Sequence, residues 1–281
     1  MKELGLKRST KPHLIFSGCY QKAKYFGWPN VYALTKAMGE MLHGTMRGEL
    51  PLVIVRPSII ISTFQDPFPG WIEGLRTIDV LIAATYEQKL PCFITGRIID
   101  SIPGDMVVNA TMVAMVTHYN DVGTQVVYHV TSALQNALPC NILDESTHAY
   151  CLVNPRGQFL FSKIKSLSGG HLKTYYGKQV LYLANYLLLC GRFTSYHNRL
   201  NRSLDYLMFV AKLYTPYVFF KGSFDDTNLR KLWGSMCAGR GDDGYIFNFD
   251  PSCINWRLYL FNTHIPAVLK VAAHMKKESG A

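Results

Sequence analysis

Tyr32 and Lys36 stand four residues apart, which on a helix puts a phenol and an ammonium side by side on one face. A positive charge beside a phenol favours its ionised form and readies it to give up a proton. Such a pair can protonate a carbonyl oxygen while a hydride arrives at the carbon. The spacing alone decides little, because the chain has 17 tyrosines and repeats the pattern at Tyr20/Lys24 and Tyr217/Lys221. Context separates the three. Val31, Leu34, Met38, Met41, Leu42 and Thr45 form an apolar stripe that predicts a helix and leaves Tyr32 and Lys36 on a different face. Asn30 reads as its N-cap and Gly48 as its stop. Tyr20/Lys24 has no such stripe, and Tyr217/Lys221 lies in an apolar aromatic run, so both read as chance or packing.

The elements that must position this pair follow directly. Leu52-Val-Ile-Val55 reads as a strand ending in Arg56-Pro57-Ser58, and residues 64–74, rich in Gly, Pro and Trp, as a loop suited to shaping a pocket. Met106 to Met115 reads as an apolar helix entered just after Pro103, and Val126 to Val130 as a β-branched strand. Turn-rich stretches at 154–157 and 166–170 mark a linker. Beyond it, Leu200, Leu204, Leu207 and Ala211 mark an amphipathic helix, and Trp256, Leu258 and Phe261 a last helical element before Pro266. Gly239-Arg-Gly-Asp-Asp-Gly244 satisfies G-x-G-x-x-G, but it follows a helix and precedes the β-like run 245–249. That is the reverse of the order a phosphate loop needs, so it reads as a surface loop.

The stretch Tyr25-Phe-Gly-Trp-Pro-Asn-Val-Tyr32-Ala-Leu-Thr-Lys36-Ala-Met-Gly-Glu-Met41 resembles the active-site segment of alcohol-forming fatty acyl-CoA reductases of the plant type. The resemblance continues through Leu50 to Ser58, Pro67 to Asp79, Ile102 to Asn109, Tyr217 to Asp226 and Asn262-Thr-His-Ile-Pro266. It implies an α/β fold, the C-terminal half of a Rossmann-like, extended short-chain dehydrogenase domain, followed by a mainly helical domain. The expected organisation is an atypical segment 1–24 with an insert at 9–21, a partial reductase domain at 25–158, and the family's C-terminal domain at 166–281. The insert interrupts two pieces that otherwise look contiguous and is expected to be an exposed loop.

Residue by residue, the resemblance makes Tyr32 the proton donor and Lys36 the holder of the nicotinamide ribose. Arg56, Pro57 and Ser58 follow the strand whose end lies beside the nicotinamide. It implies NADPH as cofactor and long-chain acyl-CoA as substrate, reduced through an aldehyde to a primary alcohol. It also names an endoplasmic reticulum or plastid surface as candidate location. Only 31 residues precede Tyr32, too few for the first βαβαβ half of a dinucleotide fold. The glycine-rich phosphate loop therefore has no counterpart, and the chain is expected to be inactive alone. A non-catalytic acyl-CoA-binding or regulatory relic is the standing alternative.

Composition bounds the rest. An apolar content of 48% over 281 residues argues for a buried core. Twenty-nine basic against 19 acidic residues give +10, a field suited to phosphates of CoA or a dinucleotide, or to a peripheral membrane surface. No compact basic run or binding motif points to nucleic acid. Seven scattered cysteines, odd in number and without C-x-x-C, read as free thiols in a reducing compartment rather than metal ligands. A Cys/His hydrolase using His129 or His264 as base is a third reading. The longest apolar run, Val180 to Cys190, is too short to span a bilayer. The opening residues do not read as a signal peptide.

Overall fold

A computed structural model describes residues 12–87, 98–155, 222–238 and 247–279, with side chains from residue 19 onward. Tyr217/Lys221, the run 180–190, the helix expected around 200–211, the linker turns at 166–170 and the 239–244 loop lie outside the described residues. The chain divides into two compact units, Met1–Ile54 with Thr117–Val127, and Val55–Val116 with Tyr128–Ala281.

In the first unit, helix α1 (Pro12–Tyr25) packs on α2 (Val31–Met46). The α1 helix corrects the loop expected over the insert. Pro12 opens it, where a missing N–H costs no hydrogen bond, and Lys22 and Lys24 in its last turn suit the negative end of the helix dipole. Asn30 caps α2 as expected, its side-chain oxygen accepting from the Ala33 N–H at 2.8 Å. The helix stops at Met46, and Gly48 follows with φ +56°. The Arg47 guanidinium then ties the connection down by donating to the carbonyls of Leu50, Gly123 and Thr124.

Strands β1 (Leu52–Pro57) and β5 (Gln125–Val130) form a two-stranded pair. Its hydrogen bonds Leu52 N to Thr124 O and Ser58 N to Val130 O advance together, so the pair runs parallel. In the second unit β2 (Ile59–Ile61) pairs in parallel with β4 (Ser101–Pro103), Ile59 opposite Ser101. Strand β3 (Ile98–Ile99) pairs antiparallel with β6 (Leu138–Pro139). The strands are linked by α3 (Ile78–Tyr86) and α4 (Gly104–Thr117), an α/β arrangement of small two-stranded pairs.

Helix α4 buries Met106, Ala110 and Ala114, a four-residue repeat that keeps one face on the core. Helix α5 (Cys140–Val153) packs against α3. The C-terminal region holds α6 (Thr227–Ala238), α7 (Trp256–Tyr259), a π-helical segment (Leu260–His264) and α8 (Ile265–Ser279), and α5 also packs against α7 and the π-helical segment. Leu260, Ile265 and Val268 are fully buried there. The helical element does not end before Pro266. The wide turn donates the Ile265 N–H to Leu260 O, and a locally widened helix accommodates a proline whose ring would otherwise press on a carbonyl. Of the run 245–249 read as β-like, residues 247–249 form no strand, and 245–246 lie outside the described residues.

Candidate active site

Tyr32 occupies the first turn of α2 and is 63% exposed. The Lys36 ammonium stands 5.5 Å from the centre of its ring, the contact that the four-residue spacing demands. The Thr35 hydroxyl donates to the Tyr32 carbonyl at 2.9 Å, a bond within the same turn. The apolar stripe predicted for α2 exists as a stripe but is not core. Met38, Met41, Leu42 and Met46 are exposed, and the helix contains no buried residue.

Arg56, Pro57 and Ser58 belong to the second unit, whereas Tyr32 and Lys36 belong to the first. Arg56 and Pro57 are exposed where β1 ends. Ser58 donates its N–H to Val130 O at 3.0 Å, and its hydroxyl is buried without a hydrogen-bond partner among the described residues. Beside it, the Arg56 Nη1 lies 3.3 Å from His129 Nε2 on β5. The loop that follows is rigidly held. The Asp105 carboxylate, in the first turn of α4, accepts the N–H groups of Phe64, Gln65 and Asp66 at 2.7–3.1 Å. Thr63 donates its hydroxyl to Phe68 O and accepts from the Trp71 N–H.

Sequence reasoning missed a buried polar cluster behind this loop. Ser62 Oγ lies 3.0 Å from His264 Nδ1 and 2.9 Å from the Tyr259 hydroxyl, which donates to the Ser62 carbonyl at 2.6 Å. His264 Nε2 comes within 3.3 Å of the Asp79 Oδ1 but out of line for a hydrogen bond. Burial pushes the Tyr259 phenol above its ordinary range, against the bond to Ser62 and with added repulsion from Asp105 and Asp79. Serine, histidine and aspartate are the residue types of a hydrolase, yet all three are closed to solvent, and a nucleophile needs a substrate within reach. The cluster therefore braces the loop against α3 and the π-helical segment. The usable sequence signal was an Asp and a His each set inside an apolar helical stretch. Neither His129 nor His264 has a thiol as a partner among the described residues, so the Cys/His reading finds no support there.

Residues 17–111 match an NAD-binding family described as "Male sterility protein", and residues 180–274 match a second, C-terminal family of the same description. The first match begins inside the expected insert. An alcohol-forming fatty acyl-CoA reductase of Simmondsia chinensis is 40% identical over 267 residues, 89% of this chain and 53% of that protein. The chain belongs to the fatty acyl-CoA reductase family. Fatty acyl-CoA reductase 8 of Arabidopsis thaliana is 39% identical over 96% of the chain and 54% of its own length. Fatty acyl-CoA reductase 2 of Bos taurus is 30% identical over 90% of the chain and 49% of its own length. The chain thus spans about half the length of the curated relatives it matches.

Proposed function

We propose that this reductase-family chain carries the proton-delivering and C-terminal portions of an enzyme that uses NADPH to reduce long-chain acyl-CoA to a primary alcohol through an aldehyde. The observation that supports this most is the exposed Tyr32 phenol with the Lys36 ammonium 5.5 Å from its ring. By the family resemblance, Tyr32 and Lys36 take the nicotinamide ribose, and Arg56, Pro57 and Ser58 follow the strand whose end lies beside the nicotinamide. When bound, NADPH supplies the hydride for each of the two reductions. Tyr32 gives its proton to the substrate oxygen each time, and Lys36 offsets the negative charge that develops there. The net charge of +10 favours the phosphates of both ligands and an anionic membrane surface.

A non-catalytic acyl-CoA-binding or regulatory relic is the second reading. Grafting the chain onto the N-terminal half of the Simmondsia chinensis protein separates the two. The reductase reading expects quenched or enhanced NADPH fluorescence and hexadecanol from palmitoyl-CoA, and the relic expects neither. In the grafted enzyme Tyr32→Phe should cut alcohol formation by at least ~100-fold with NADPH affinity little changed. Retained turnover would remove Tyr32 from the acid role.

A further inference from the structure

His129 has no role in the reading above, yet its two ring nitrogens have different partners. Its Nδ1 lies 3.0 Å from the Asp225 carbonyl, and its Nε2 lies 3.3 Å from the Arg56 Nη1. A carbonyl only accepts, so Nδ1 carries the proton. A guanidinium only donates, so Nε2 is the bare acceptor. The partners select one neutral tautomer. Phe224 lies against the imidazole with ring centres 5.6 Å apart.

The carbonyl that sets this tautomer is itself anchored. The Asp225 carboxylate accepts from the Thr227 N–H and hydroxyl at the start of α6. These bonds, the hydroxyl first, hold its carboxyl below the usual range. Next to it Asp226, fully buried, accepts from Gln135 Nε2 at 2.8 Å and Arg230 Nε at 3.0 Å. The C-terminal region therefore reaches, through His129, an exposed arginine at the end of β1.

We propose that His129 is a positioning residue that presets the Arg56 guanidinium for a phosphate group of the bound ligand, with residues 224–226 fixing the histidine. The proposal rests on the reductase reading. An arginine whose guanidinium is already oriented loses less side-chain freedom on binding, which is worth about threefold to tenfold in affinity. Protonated His129 could not serve, because it would present a donor and a positive charge to another cation.

The phosphate could belong to coenzyme A or to the nicotinamide nucleotide, so calorimetric titrations of the 281-residue chain use coenzyme A and NADPH separately. The ligand that Arg56 serves should lose about threefold to tenfold in affinity in His129→Ala and at least as much in Arg56→Ala. The double variant should be no weaker than Arg56→Ala alone. His129→Gln, which keeps a donor and an acceptor, should restore affinity to within about twofold. Should His129→Ala fail to fold, His129→Phe fills the space without either nitrogen. Additive losses, an unaffected His129 variant, an unaffected Arg56→Ala, or no binding of either ligand by the unsubstituted chain each overturn the proposal. The reductase reading fails on different data, namely a grafted enzyme that binds both ligands and forms no alcohol.

Discussion

Burial pushes the Cys140 and Cys151 thiols up to about 11, and at Cys140 the Asp144 carboxylate adds to the effect. These side chains keep their protons where thiols of the unfolded chain, near 9.0, have lost theirs. The raised-pKa contribution is therefore intact below about pH 9 and is lost as pH climbs towards 11. Tyr150 and Tyr259, both raised by burial, act in the same direction at the upper end. Urea midpoints measured from pH 8 to 11 should fall, and the Cys140→Ala/Cys151→Ala variant should flatten that fall. An unchanged slope in the variant would exclude the thiols as its cause. In the native protein at pH 8 the exposed Cys237 should alkylate well before either buried thiol.

At the scale of elements, the loop over residues 62–71 depends on neighbours far along the chain. Gly70 has φ +84°, and a Cβ there would lie 3.2 Å from both Ala267 Cβ and the Thr263 carbonyl oxygen. Gly70→Ala should cost about 1–2 kcal/mol for the left-handed backbone, with crowding added. Gly48→Ala should cost the backbone part alone, because its Cβ would meet nothing within 4 Å. Equal urea midpoints for the two variants would show that the close approach to residues 263 and 267 is unimportant. His264→Ala should destabilise by about 3 kcal/mol, since it removes the imidazole bonded to Ser62 Oγ and opens a cavity. His274→Ala, which breaks only an exposed pair with Glu278, should stay within about 0.5 kcal/mol. A His264→Ala protein as stable as the parent would mean that the buried cluster does not brace the loop.

For the whole molecule, the 281 residues alone should form no fatty alcohol from palmitoyl-CoA and NADPH, as assayed by gas chromatography, and the grafted version should. Product from the chain alone would mean that it binds the pyrophosphate by a route without a glycine-rich loop. The amino-acid sequence by itself determined the parts that rest on short-range bonding and periodicity. Asn30 caps its helix, Tyr32 and Lys36 meet because 3.6 residues make a turn, and the β-branched run Val126-Val-Tyr-His-Val130 forms a strand. It misjudged the insert as a loop, although Pro12 stands at a helix start, where a proline breaks nothing. Tertiary structure alone decided what each face meets. Periodicity aligned Met38, Met41 and Leu42 but could not say that the stripe lies exposed. Nor could it pair Ser62 with Tyr259 and His264, 197 and 202 residues away, or His129 with Arg56 and Asp225, 73 and 96 residues away. Such partners are set by the path of the chain between them, and no local pattern encodes that path.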